Sequence, residues 1–166
     1  MHIYVFMKDK IKLLVMDVDG TMTDGKINIG PDGELFKSFN IRDGYGVKEM
    51  LPLHGIIPAI ITGRTSKIVE NRAKELDIAE LYQGKHDKLN TLKDLMKKYD
   101  CNKENVAYIG DDILDIVCMK ECGMIGCPSD ACQQVKDIAH YVCSNKGGDG
   151  AVREFIEFVI NHNLSI

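Results

Sequence analysis

A chain of 166 residues, 45% hydrophobic and 28% charged, is long enough to bury one sizeable core and fits a single domain over 1–166. Its formal net charge of −4, with no stretch that interleaves Lys or Arg with aromatic residues, argues against a nucleic-acid platform. No apolar run approaches a membrane span, and the apolar start Met1–Met7 is too short for a secretory core and follows no basic stretch, so the expectation is a cytoplasmic protein.

The first predicted strand covers 11–17 and ends in Asp17-Val18-Asp19-Gly20-Thr21. Unpaired carboxylates are costly inside a buried strand, so this pair belongs at its carboxyl end, where α/β proteins bind ligands. Period-two geometry points Asp17 and Asp19 to one side. The segments Lys26–Ile29 and Glu34–Phe39 flank Gly30-Pro31-Asp32-Gly33, which reads as a β-hairpin over about 26–39 with a four-residue turn, placed to arch over the site as a flap. A helix near 43–54 leads to a strand near 56–62 that terminates in Thr62-Gly63-Arg64. A helix near 66–76, a strand near 79–83 and a helix near 87–99 opened by Lys88 follow. The strand near 105–110 ends in Gly110-Asp111-Asp112, with Asp115 close behind. Helices near 112–121, 130–137 and 149–162 alternate with strands near 123–127 and 139–143. This alternation predicts an α/β fold: a doubly wound, Rossmann-like parallel sheet with helices on both faces.

Strand ends that supply Asp-x-Asp, then Thr, then Lys, then Asp-Asp resemble the haloacid dehalogenase superfamily of phosphohydrolases, over about Lys10 to Ile160. The chemistry explains why these residue types belong together. An aspartate approaching a phosphate monoester meets about 4 kcal/mol of repulsion per unit charge pair at about 4 Å and an effective dielectric near 20. A hard divalent ion such as Mg²⁺ offsets this through carboxylate and phosphate oxygens. The resemblance implies that Asp17 is the nucleophile forming an aspartyl-phosphate and also a metal ligand. It implies that Asp19 is the acid/base, with its main-chain carbonyl on the metal, and that Asp111 is the remaining metal carboxylate. Thr62, Gly63 and Lys88 then hold the phosphoryl group. Asp112 and Asp115 are open between orienting metal-bound water and serving as solvated or capping carboxylates. An acid at position 19 is shared by phosphatases and mutases of the superfamily, whereas its membrane ATPases carry Thr there; phosphatase is the favoured class.

The intervals between these motifs hold a hairpin, helices and a strand but no folded cap domain. An uncapped site is open to water unless a neighbouring subunit or a large substrate covers it. Within the superfamily, Asp17–Thr21, Ser38–Gly46, Thr62–Arg64, Val106–Asp112 and Gly147–Glu154 are similar to the 3-deoxy-D-manno-octulosonate 8-phosphate phosphatases. That resemblance implies a capless, Mg²⁺-dependent homotetramer whose hairpins pack around a central axis and whose neighbouring subunits complete the pocket for a small phosphorylated sugar acid. Arg64, Lys67 and Arg42 are the implied substrate contacts, with the Gly147-Gly148 loop near the site.

Two features depart from the family pattern. Asp149 stands where that loop commonly has a basic residue, and the chain ends at Ile166 with little of the C-terminal tail that can enter a neighbour's site. Asp149 is more at home in phosphatases of nine-carbon, sialic-acid-like 9-phosphates, whereas Arg64 favours the eight-carbon acid. A third reading is a non-catalytic oligomerisation module like the C-terminal part of animal sialic-acid cytidylyltransferases; the presence of Asp17, Asp19, Lys88 and Asp111 together disfavours it. The six cysteines form no Cys-x-x-Cys pair and read as small buried apolar groups; the five scattered histidines read as structural or solvated, with His86, two before Lys88, the best placed of them to line the site.

Overall fold

The structure, a computed structural model, describes residues 9–166; the apolar start Met1–Met7 lies outside the described residues. The first strand, β1 (Leu13–Met16), is followed by a hairpin of β2 (Asn28–Gly30) and β3 (Gly33–Phe36). Next come α1 (Ile41–Tyr45), a π-helical turn (Gly46–Met50) and α2 (Leu51–Leu53). The chain continues through β4 (Ile57–Ile61), α3 (Lys67–Glu75), β5 (Glu80–Tyr82), α4 (Lys88–Lys98) and β6 (Val106–Ile109). It closes with α5 (Ile116–Met119), β7 (Met124–Cys127), α6 (Gln133–Ile138), β8 (Tyr141–Val142) and α7 (Ala151–Leu164).

Six of these strands form one sheet in the order β5-β4-β1-β6-β7-β8, and every pairing in it is parallel. The chain builds outward from β1 through β4 to β5, then returns to β6 on the other side. The carboxyl ends of β1 and β6 therefore flank the switch point where open α/β sheets form their crevice.

Both faces of the sheet are covered, and this explains the near-continuous apolar strands. Leu14, Met16, Ile60, Ala107 and Ile109 pack with Val47 and Leu51, with Val69 and Ala73 of α3, and with Phe155, Ile156 and Val159 of α7. Leu13, Val15, Ala59, Ile61, Val106 and Tyr108 point the other way, onto Leu92 and Leu95 of α4, Cys118 and Met119 of α5, and Val135 of α6. Each such large apolar side chain contributes about 1.5–3 kcal/mol when fully buried. Phe155 lies so close to β7 that a Cβ on Gly126 would sit 2.4 Å from its ring.

Three predicted elements take a different form. The expected helix at 43–54 contains the π-helical turn: Leu51 N–H reaches back to Gly46 O, just ahead of Pro52, which has no N–H to continue the ladder. The expected helix at 112–121 opens as a 3₁₀ turn at Ile113–Asp115 before α5. In the hairpin the ladder extends to Gly30 and Gly33, so the turn proper is Pro31-Asp32. Among the described residues no folded cap interrupts the sheet: the hairpin and the helical segment fill β1 to β4, and α3 and β5 fill β4 to α4.

Four of the six cysteines, Cys118, Cys122, Cys127 and Cys143, are buried with free thiols as expected, whereas Cys101 and Cys132 are only half-buried. Burial pushes the Cys118 thiol up to about 12 and Cys127 up to about 11, which makes them unreactive. His140 accepts the Ile125 N–H at 2.9 Å through Nδ1, a structural role, and His86 is exposed.

Candidate active site

Asp17 is the first residue past β1, and its N–H still bonds Ile109 O at 3.1 Å, so the neighbouring strand fixes its position. Lys88 is the first residue of α4, a helix capped by Asp87, whose side chain accepts from Asn90 N–H. Because α4 buries Leu92 and Leu95, it carries Lys88 inward, and the Lys88 ammonium sits 3.1 Å from Asp17 Oδ1 and 3.0 Å from Asp115 Oδ1.

Asp115 is saturated. Its Oδ1 also accepts from Tyr108 Oη at 2.9 Å, and its Oδ2 accepts from the backbone N–H groups of Asp111 at 3.2 Å and Asp112 at 3.3 Å. It thus shapes the turn that follows β6 and anchors Lys88. Asp112 is exposed and caps the 3₁₀ turn. Asp111 accepts from Thr21 Oγ1 at 3.0 Å, and carboxylate oxygens of Asp17, Asp111 and Asp115 lie within 4.8 Å of one another.

Three carboxylates around one ammonium leave excess negative charge. Burial pushes Asp17 up to about 6, reinforced by the Asp115 charge and opposed by Lys88. Asp111 is pushed up to about 7, first by burial and then by the Asp17 charge. Burial works to lower the Lys88 pKa, but the facing Asp17 and Asp115 carboxylates outweigh it and hold the ammonium above its ordinary value. A crowded set of oxygens with raised pKa values is what a hard divalent cation satisfies. With both Asp115 oxygens engaged, Asp17 and Asp111 are the carboxylates able to turn oxygen toward a metal.

Two glycine loops make the crevice compact. Gly20, at φ +87°, passes so near Asp111 that a Cβ there would lie 2.1 Å from its Oδ2. Gly147 packs on Gly20 in turn, and Gly148 N–H donates to Thr21 O at 3.1 Å. The Gly147-Gly148 loop therefore buttresses the Asp19–Thr21 backbone.

Thr62, buried at the end of β4, opens the same edge of the sheet; its N–H is fixed to Tyr82 O at 2.9 Å. A Cβ on Gly63 would meet nothing within 4 Å, which leaves open space over the Thr62-Gly63 backbone. The predicted substrate contacts are outside this cluster in the single chain. Arg64 and Lys67 are exposed, and Lys67 Nζ pairs with Glu70 at 2.6 Å on its own helix. Arg42 lines a cavity of about 310 Å³ with Asn145, Asp149, Arg153 and Glu157.

Residues 56–156 match the model of the haloacid dehalogenase-like hydrolases. The chain is 46% identical over 150 residues to the 3-deoxy-D-manno-octulosonate 8-phosphate phosphatase of Yersinia pestis, covering 90% of this chain and 80% of that one. It is 44% identical over 152 residues to that of Escherichia coli strain K12, covering 92% of this chain and 80% of the relative. Among solved structures, the Moraxella catarrhalis phosphatase of the same name, in complex with magnesium, phosphate and KDO, superposes with a TM-score of 0.91 at 39% identity, covering 99% of this chain and 95% of that one. The cobalt-bound enzyme of Haemophilus influenzae superposes with a TM-score of 0.89 at 38% identity, covering 93% of this chain and 90% of that one. The chain belongs to the 3-deoxy-D-manno-octulosonate 8-phosphate phosphatase family of haloacid dehalogenase-like hydrolases.

In this family member, the sequence motifs brought Asp17, Lys88 and Asp111 together but left out a second charged group. Lys37, just past β3, places Nζ 2.5 Å from Asp19 Oδ1 and 2.9 Å from Glu34 Oε1. Glu34 also accepts from Ser66 Oγ, and Ser66 caps α3. The Ser66 cap was readable as a small hydroxyl residue ahead of a helix. Its bridge to the hairpin was not, because hairpin and helix are joined only by tertiary packing.

Proposed function

We propose that this chain is a single phosphatase domain that hydrolyses the phosphate monoester of a keto-deoxy sugar acid, 3-deoxy-D-manno-octulosonate 8-phosphate, with Mg²⁺. The observation that carries the reading is the buried Asp17–Lys88–Asp115 arrangement beside Asp111, on a chain that superposes over 99% of its length with the Moraxella catarrhalis phosphatase bound to magnesium, phosphate and KDO.

Asp17 attacks phosphorus, the bond to the ester oxygen breaks, and Asp19 delivers its proton to the departing oxygen. Water then attacks the aspartyl-phosphate as Asp19 takes its proton, which frees inorganic phosphate and restores Asp17. Lys88 faces the nucleophile and holds a phosphoryl oxygen together with Thr62 and the Gly63 backbone. Asp17, Asp111 and the Asp19 carbonyl would hold Mg²⁺, which neutralises charge on the transferring group. Asp115 keeps Lys88 and the Asp111 turn in register.

The pocket is completed in a homotetramer by a neighbouring subunit, which brings Arg64 and Lys67 toward the sugar acid, with Arg42 as a further substrate contact near the site. Support comes from the capless crevice, from the exposure of Arg64 and Lys67, and from the exposed hairpin side chains Ile29, Leu35 and Phe36. The hairpin acts as a flap beside the site. No helix among the described residues is long and apolar enough to cross a membrane, and the enzyme is read as working in the cytoplasm on a small substrate.

The test compares kcat/KM for Mg²⁺-dependent phosphate release from octulosonate 8-phosphate and nonulosonate 9-phosphates. A preference for the eight-carbon ester is expected. Preference for a nine-carbon acid would reassign the substrate, and release undiminished by Asp17→Asn would remove the proposed nucleophile.

A further inference from the structure

We propose that Lys37, carried by the hairpin, is a positioning residue that holds the Asp19 carboxyl where it can protonate the leaving group. The proposal rests on the reading of Asp19 as the acid. The Lys37 side chain is 2% exposed although it follows a solvent-facing strand, and Asp19 remains more open at 21%. A lysine is buried this deeply when its ammonium is matched, and here two carboxylates match it: Asp19 Oδ1 at 2.5 Å and Glu34 Oε1 at 2.9 Å.

The contacts continue beyond the hairpin. Glu34 Oε2 accepts from Ser66 Oγ, and Ser66 caps the start of α3, two residues beyond Arg64 of the Thr62-Gly63-Arg64 turn. Asp19, Lys37, Glu34 and Ser66 thus form one polar chain from the loop after β1, through the hairpin, to the helix after β4. Asp19 sits in a loop, where an untethered side chain samples several rotamers. The bond to Lys37 engages Oδ1, selects one rotamer and leaves Oδ2 for the transferable proton. Small misplacement of a reacting group is costly in rate, so this tether bears directly on proton transfer.

A merely structural hairpin anchor would affect all substrates alike. A positioning role depends on the leaving group: an alkoxide needs a proton as it departs, whereas p-nitrophenolate leaves as a stable anion. The experiment measures leaving-group release in single turnovers, with Mg²⁺ and enzyme in excess, for an alkyl phosphate and for p-nitrophenyl phosphate. In Lys37→Met the alkyl-to-aryl rate ratio is expected to fall about tenfold or more, a part of the roughly 10²–10⁴-fold that a positioned general acid supplies. Lys37→Arg, which keeps the cation, should recover part of that ratio. An equal decline for both substrates, or no decline, would overturn the proposal; aryl release also reports a folded site. Asp19→Ala run in parallel separates the two readings. If its ratio collapses while that of Lys37→Met does not, only the Lys37 role fails. If its ratio is intact, the acid assignment fails and the Lys37 role with it.

Discussion

Gly147 rests on the backbone of Gly20 so closely that a Cβ at Gly147 would lie 1.9 Å from Gly20 O. Two loops distant in sequence are thereby locked together under the two carboxylates that end β1 and β6. Gly147→Ala has to push Gly20 away, and Gly20 already lies against Asp111. The substitution should cost about 1–3 kcal/mol of stability, as overpacking does. Turnover should drop by about tenfold or more through displaced catalytic groups. Urea denaturation and steady-state kinetics check this, and a variant with normal turnover would show that the loop contact has no bearing on the site.

Lys88 is the only ammonium that bonds Asp17 and Asp115 among the described residues. Lys88→Met keeps the aliphatic stem and leaves two buried carboxylates without their cation. Breaking a buried ion pair from one side costs about 3–5 kcal/mol, and that loss should appear in chemical denaturation of the metal-free protein. Phosphatase activity should vanish with it. A metal-free variant as stable as the parent would mean that Asp17 and Asp115 find other partners.

The raised carboxyl pKa values set a pH dependence. Asp17 at about 6 and Asp111 at about 7 stand above their ordinary value of 3.8, and Asp43, buried beside the start of α7, is pushed up to about 6 as well. Between about pH 4 and 7 these groups bind more protons folded than unfolded, so their contribution makes the metal-free protein less stable as pH rises through that window. Mg²⁺ requires the ionised carboxylates of Asp17 and Asp111. Its thermal upshift should therefore be small near about pH 5 and several degrees larger near about pH 8. Calorimetry with and without Mg²⁺ reads this directly; an upshift independent of pH would place the ion elsewhere.

Ile29, Leu35 and Phe36 are 66%, 62% and 53% exposed on a two-stranded hairpin that has no sheet neighbours of its own. If these side chains pack against other subunits, Phe36→Lys should convert the assembly to smaller species in light scattering. It should also raise KM if, as proposed, the neighbour completes the pocket. An unchanged molar mass would remove the hairpin from the proposed interface.

The fold was legible because its signals are local. Apolar runs such as Leu13–Met16 and Val106–Ile109 end abruptly in carboxylates, and alternating strands and helices leave a parallel sheet as the natural arrangement. The helix after the hairpin was legible only in outline. Its π-helical turn reflects Pro52 and packing against α7, where Gly46 lies under Ile156 and Arg153. Asp115 was visible in sequence, but its task was not: which oxygen meets Lys88, Tyr108 or a backbone N–H is a matter of three-dimensional placement.

The sequence by itself determined the strand ends, the order in which they offer Asp17, Thr62, Lys88 and Asp111, and the family resemblance those motifs carry. These are properties of neighbouring residues and of spacing, which the backbone periods of strand and helix translate into position. Only the tertiary structure decided that Lys37 reaches Asp19, that Asp115 is saturated while Asp111 is not, and that Gly147 braces Gly20. Such contacts join segments far apart in the chain, and they form only when burial of both sheet faces brings those segments within hydrogen-bonding reach.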